Sequence, residues 1–305
     1  MSDNKTILLA PGQGAQHVGM GKSWADVEDV SKQTFAEADQ ILGIELTKLC
    51  FEGPDDQLNR TDVAQTAIYT ASVASYRALQ QRGVVGEVAA TAGLSLGEFT
   101  ALHLAGAFDF ETGLKLVRLR GQAMQDAAEA SDGSMVALIG ADEAQAVALC
   151  DEARGGDVLV PANFNCPGQI VISGSSAACK RSLAVAEKMG LRATALTVTG
   201  AFHSPLMQPA ADRLAAALDD VSWSTLTVPV VSNVTAQPHS EGNFDSIKSL
   251  LVRQLTDSVR WSESMSWMIA NVSGDYVELA PGKVLSGLMR RIDRKTKVAN
   301  HAEPA

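Results

Sequence analysis

The segment Gly93-Leu94-Ser95-Leu96-Gly97 constrains this chain more than any other. It follows a short apolar run, Val84–Ala92, and leads into a helical pattern over Phe99–Ala105. A serine with glycine two positions away on either side, between a strand and a helix, needs a turn so tight that only very small residues fit. Such a turn lifts the hydroxyl off the end of a sheet at a helix N-terminus. There the backbone N–H of Leu96 can donate to a developing oxyanion. Ser95 is therefore a candidate nucleophile, and a plain tight turn with a satisfied serine is the alternative.

The rest of the pattern fits an α/β chain. Thr6–Ala10 reads as a buried strand ending at Pro11-Gly12, followed by the glycine-spaced turn Gln13-Gly14-Ala15-Gln16. Ser23–Ser75 is mostly helical, with breaks at Gly43 and Gly53-Pro54. Asp109 is a credible N-cap for a helix on which Phe110, Leu114, Val117, Gly121, Met124 and Ala128 share one face. Arg118 and Arg120 flank that stripe on opposite edges, and periodicity does not choose between them.

From Asp132 to Thr199 the order changes. Met135–Ile139, Val158–Asn163, Gln169–Ser173 and Arg192–Val198 read as strands, with helices over Glu143–Ala153 and Ala177–Met189. That β-α-β-β-α-β order is ferredoxin-like. The expected fold is thus an α/β-hydrolase-like parallel-sheet core with an inserted ferredoxin-like small subdomain. Residues 132–199 form the insertion, and 1–131 with 200–305 form a discontinuous large subdomain. Further strands are expected near Val228–Ser232 and over Asp275–Leu279.

Composition narrows the function classes. Among 305 residues, 46% are hydrophobic and 20% charged, which excludes a disordered chain. A net charge of −10 argues against a general nucleic-acid binder. Cys50, Cys150, Cys166 and Cys179 form no C-x-x-C pair, so neither a disulfide framework nor a zinc site is expected. The opening apolar stretch is too short for a signal peptide, and nothing is long enough to span a membrane. The expectation is a reduced, cytoplasmic protein without metal.

A nucleophilic serine needs a base, and five histidines compete. His17 lies beside the first glycine turn and His103 on the helix after Ser95. His239 and His301 fall in polar stretches read as exposed. His203, in Gly200-Ala201-Phe202-His203-Ser204-Pro205, sits at a loop edge before a helix start, where catalytic side chains usually lie. Position alone favours it only modestly over His103.

Six motifs then occur together in order: Pro11-Gly12-Gln13-Gly14-Ala15-Gln16, Gly93-Leu94-Ser95-Leu96-Gly97-Glu98, Arg120-Gly121, Asn163-Phe164-Asn165-Cys166-Pro167-Gly168-Gln169, Gly200-Ala201-Phe202-His203-Ser204 and Pro281-Gly282-Lys283-Val284-Leu285. This set resembles the malonyl-CoA:acyl-carrier-protein transacylases, the acyltransferase family of fatty-acid and polyketide synthesis, over essentially the whole chain. The resemblance implies a Ser95–His203 dyad, oxyanion donors at the backbone N–H groups of Gln13 and Leu96, and Arg120 as the arginine that binds the substrate carboxylate. It also implies that a backbone carbonyl, here that of Arg260, orients the histidine. Gln65 and Asn165 are further residues that could stand near the substrate. Leu94 departs from the pattern, since many members have histidine there.

The implied reaction is ping-pong transfer of malonyl from malonyl-CoA to the phosphopantetheine thiol of acyl carrier protein through a malonyl-serine. CoA enters as substrate, with no separate cofactor. The implied partners are malonyl-CoA and an acidic carrier protein, for which Arg290, Arg291, Arg294 and Lys295 form a possible docking patch. A solvated helix end explains the same cluster. The working unit is expected to be a monomer. Two other readings share the serine motif: an α/β-hydrolase-type esterase or thioesterase, with Asp126, Asp142 or Asp157 as its acid, and a catalytically silent binding relative.

Overall fold

A computed structural model describes residues 5–198 and 200–304. Residues 1–4, 199 (the expected end of the insertion) and 305 lie outside the described residues. Two four-stranded sheets organise the chain. In the first, β1 (Lys5–Ala10) lies centrally between β2 (Glu87–Gly93) and a later strand, Asp275–Leu279, with a short strand, Val298–His301, beyond it. All its pairings are parallel. A parallel sheet with helices on both faces needs strands that are apolar throughout, and Ile7, Leu8 and Leu9 are fully enclosed.

The second sheet is antiparallel and takes all its strands from one stretch: β3 (Gly133–Ile139), β4 (Leu159–Cys166), β5 (Gln169–Ser175) and β6 (Arg192–Ala195). Its spatial order, β4-β5-β3-β6, is the ferredoxin-like one. Alternation along these strands assigns their faces. Val136, Leu138, Leu159, Ile170 and Ile172 pack with the helices Glu143–Arg154 and Ser176–Lys188. Met135, Ala137, Ala162 and Val171 face the other way and join the main core. Continuing the numbering, β7 is Asp275–Leu279 and β8 is Val298–His301.

The fold agrees with the sequence reading except at a few elements. The strand expected near Val228–Ser232 is reduced to isolated bridges, Thr91 with Val230 and Val231 with Pro238. Pro229 lacks an N–H, so the segment touches the edge of β2 only around Thr91, which donates to the Pro229 carbonyl at 3.0 Å and accepts from Val231 at 3.3 Å. The short edge strand β8 carried no signal. The helix after the serine begins at Leu96, directly behind it. Asp109 caps the helix Phe110–Glu129 as expected, accepting from the Thr112 N–H. No helix among the described residues is long and apolar enough to cross a membrane.

Candidate active site

The end of β2 turns into the helix Leu96–Leu104 through Ser95, whose backbone stands at φ 52° and ψ −104°. A non-glycine residue there costs on the order of 1–3 kcal/mol, so the surroundings must impose it. They do so on both sides of the residue. The Ser95 N–H donates to Asn233 Oδ1 at 2.6 Å, and the Ser95 carbonyl accepts from Gln254 Nε2 at 2.9 Å. A Cβ on Gly93 would overlap the Gly97 backbone, and one on Gly97 would overlap the Ala10 carbonyl. Both glycines are therefore fixed by sterics.

His203, also at positive φ (56°), brings Nε2 to 2.8 Å from Ser95 Oγ. Its Nδ1 lies 2.6 Å from the backbone carbonyl of Gln254. A carbonyl only accepts, so Nδ1 carries the hydrogen and Nε2 presents a lone pair to the serine hydroxyl. Burial lowers the His203 pKa to about 4, with the Arg120 cation adding to the effect and the Gln254 carbonyl opposing it. The histidine is thus a neutral base at physiological pH.

Arg120 rather than Arg118 enters the site. It is 1% exposed and donates from Nη2 to Ser95 Oγ (3.0 Å) and to Gln254 Oε1 (2.9 Å), and from Nη1 to Gln65 Oε1 (2.7 Å). Burial lowers its pKa to about 9, against the opposing charge of Glu98, so it remains a cation at neutral pH. Its Nε has no protein partner among the described residues. A buried guanidinium beside a nucleophile with donor capacity left over suits a planar carboxylate.

Gln254 corrects the expectation for Arg260. The Arg260 carbonyl accepts from Ser264, within its own helix, while its side chain pairs with Glu263 and Glu143 at the surface. The residue that orients His203 lies six positions earlier and also grips Arg120 and Ser95 through its side chain. A backbone acceptor leaves no mark in side-chain identity, so only the family pattern pointed to this region.

The oxyanion assignments are compatible with the geometry. The turn at Gly12 abuts the elbow, since a Cβ there would overlap the Leu94 carbonyl. Among the described residues, the backbone N–H groups of Gln13 and Leu96 have no protein acceptor. Leu94 packs with the core beneath the parallel sheet. Gln65 reaches Arg120 and the Met124 sulfur, which makes it a support for the arginine. Asn165 lies on β4 with Oδ1 buried and unpartnered, and has no hydrogen bond to Ser95, His203 or Arg120.

The competing histidines and acids separate from the site. His17 contacts the Ala15 carbonyl and His103 the Phe108 carbonyl, while His301 sits on β8. His239, expected to be exposed, is instead buried against Glu98, with Nε2 2.8 Å from Oε1. Asp126 pairs with Arg213, Asp142 caps a helix and Asp157 pairs with Arg181, so none serves His203 as a triad acid. Arg290, Arg291, Arg294 and Lys297 line a cleft of about 620 Å³ with Pro167. Lys295 is not among its walls; its backbone N–H is bound by Asp293.

With this geometry in hand, the chain matches the acyl transferase domain family over residues 8–302. It is 45% identical over 287 residues to the malonyl CoA-acyl carrier protein transacylase of Escherichia coli strain K12, covering 93% of this chain and 92% of that one. The crystal structure of a malonyl-CoA:acyl carrier protein transacylase from Xanthomonas oryzae pv. oryzae superposes with a TM-score of 0.94 at 41% identity, covering 100% of this chain and 96% of that one. A malonyl-transacylase solved in complex with its type II PKS acyl-carrier protein superposes with a TM-score of 0.94 at 38% identity, covering 99% of this chain and 96% of that one.

Proposed function

Because the chain belongs to the acyl transferase domain family, we propose that its Ser95–His203 pair moves the malonyl group of malonyl-CoA onto the phosphopantetheine thiol of acyl carrier protein. The observation that carries this reading is the 2.8 Å contact of Ser95 Oγ with a histidine held in the base tautomer, beside a buried arginine. In the first half-reaction the Ser95 hydroxyl proton passes to His203 Nε2 as Oγ bonds to the thioester carbon. The N–H groups of Gln13 and Leu96 stabilise the oxyanion. The C–S bond then breaks, and CoA leaves with the proton from His203.

In the second half-reaction the carrier thiol gives its proton to His203, its sulfur bonds to the malonyl carbon, and the Ser95 ester bond breaks. The Ser95 oxygen takes the proton back. Acylation also turns the Ser95 hydroxyl into an ester, releasing an Arg120 N–H toward the free malonyl carboxylate. That carboxylate offsets the Arg120 charge, which lowers the His203 pKa after burial does.

Intact-protein mass after brief exposure to malonyl-CoA tests the reading. A malonyl adduct is expected on wild type, discharged by carrier protein, and absent from Ser95→Ala. Persistence of the adduct in Ser95→Ala would overturn the assignment. Free malonate released without a thiol acceptor would favour a hydrolase.

The cleft of Arg290, Arg291, Arg294 and Lys297 is the proposed carrier-docking face. Arg291 ties it to the Pro167 and Gly168 carbonyls at 3.2 and 3.4 Å, in the turn between β4 and β5. With a chain charge of −10, an acidic carrier needs such a local basic surface. Reversal at Arg290 and Arg294 should lower kcat/KM for the carrier about tenfold or more at low salt. Unchanged carrier kinetics would remove this surface from the reaction. The proposed working unit is a monomer, to be checked by sedimentation.

A further inference from the structure

We propose that Glu98 and His239 are positioning residues for this acyl transfer: their buried carboxylate–imidazole pair fixes Gln254 and Asn233, and through them Ser95, His203 and Arg120. The inference rests on the Ser95–His203 reading above. Neither residue touches the serine hydroxyl, so their action is exerted through others.

Glu98 is the third residue of the helix that starts behind the elbow. A glutamate there commonly reaches back to the N-cap N–H. Here Asn233 takes the Ser95 N–H, and the Glu98 carboxylate turns inward instead. Oε2 accepts from Gln254 Nε2 at 2.7 Å and from the Asn233 N–H at 3.1 Å; Oε1 faces His239 Nε2 at 2.8 Å. Two N–H donors and the His239 ring nitrogen face the carboxyl group, which suits an acceptor-only carboxylate. His239 must carry its hydrogen on Nε2, and both side chains are 0% exposed.

The consequence is an amide that can point only one way. Gln254 Nε2 faces a carboxylate, an acceptor alone, and Gln254 Oε1 faces a guanidinium, a donor alone. Turning the amide over would set donor against donor and acceptor against acceptor. The same residue holds His203 Nδ1 through its backbone carbonyl, so an error at its side chain is passed to the base, the nucleophile carbonyl and Arg120 together. Asn233 adds the other side of the elbow, binding the Ser95 N–H with Oδ1 and the Gly93 carbonyl with Nδ2 at 2.8 Å. His239 closes the arrangement. Its backbone N–H is anchored on the Val230 carbonyl at 2.8 Å, on the segment that docks at β2 through Thr91.

The test is single-turnover acylation of Ser95 by saturating malonyl-CoA and acetyl-CoA, read by quenched-flow mass spectrometry. His239→Leu removes the donor to Glu98, and His239→Gln restores an N–H. In His239→Leu, malonyl acylation should slow about ten- to a hundredfold with KM little moved, and the preference for malonyl over acetyl should shrink. His239→Gln should recover most of the rate. Glu98→Leu removes the acceptor shared by Gln254 and Asn233 and should be slower still.

Wild-type rate and preference in either His239→Leu or Glu98→Leu, or no recovery in His239→Gln, overturns the proposal. A wild-type protein that forms no Ser95 adduct instead fails the underlying reading.

Discussion

Around Ser95 the chain buries Glu98, Arg120, His203, Asn233, His239 and Gln254, and holds Ser95 and His203 at positive φ. Among the described residues of the antiparallel sheet and its helices, Ser173 and Ser182 are the buried polar residues, and no non-glycine residue stands at positive φ. That region follows local rules throughout, including a full capping box at Asp142 and Gln145. The elbow region departs from them and must be held by partners distant in sequence. Backbone strain and buried charge are thus concentrated in the helices and loops around the elbow, and the antiparallel sheet supplies regular packing.

The largest expected effect lies at the arginine. Arg120→Ala should slow acylation by malonyl-CoA at least about a hundredfold, roughly 2.7 kcal/mol of transition-state stabilisation, while acetyl-CoA loses much less. Equal losses for both thioesters would show that Arg120 does not read the carboxylate. A melting curve run in parallel separates this from the effect of leaving Glu98 buried without its counter-charge.

A smaller effect is expected from pH. His203 must be neutral to accept the serine proton, and its pKa is lowered to about 4 from an ordinary 6.5. Acylation measured as kcat/KM should therefore hold as the pH falls through 6.5 and drop only near pH 4. The unfolded chain takes the proton first, so this group's contribution to stability, full above pH 6.5, declines between 6.5 and about 4. An acid limb centred at the ordinary imidazole value would mean that His203 is more open to water than this packing allows.

The smallest effect on catalysis should come from the antiparallel region. Ile172→Ala, at a fully buried position on β5, should cost about 2–5 kcal/mol of stability by denaturant titration. The turnover of the folded fraction should stay unchanged. A fall in turnover per folded molecule would show that the two regions are coupled more tightly than their polar contents suggest.

The same contrast governs how much of the molecule was legible in sequence. The ferredoxin-like elements follow periodicity and turn residues, and their order was readable to within a few positions at each end. Ser95 was readable because Gly93 and Gly97 mark the one turn that their contacts permit. Arg120 was not separable from Arg118 by helical spacing, since both flank the apolar stripe. What selects Arg120 is the approach of Gln65 and Gln254 from elsewhere in the chain. Gln254 itself acts on His203 through its backbone, and the Glu98–His239 pair spans 141 positions, so neither leaves a local pattern. β8 is a short edge strand in which only the end residues are partly covered, too weak an alternation to read.

The contact between Gly12 and the Leu94 carbonyl has a consequence for how such a site can diversify. The two amides proposed to cradle the oxyanion belong to turns that meet backbone to backbone, with no side chain serving as a spacer. Leu94 N–H also donates to the Ala10 carbonyl at 3.1 Å, fastening the same two turns a second time. The gauge of that cradle is therefore set by peptide geometry, and exchanging side chains around it cannot widen or narrow it. A change of acyl group has to be accommodated by side chains, Arg120 among them, while the place proposed for thioester cleavage keeps its dimensions.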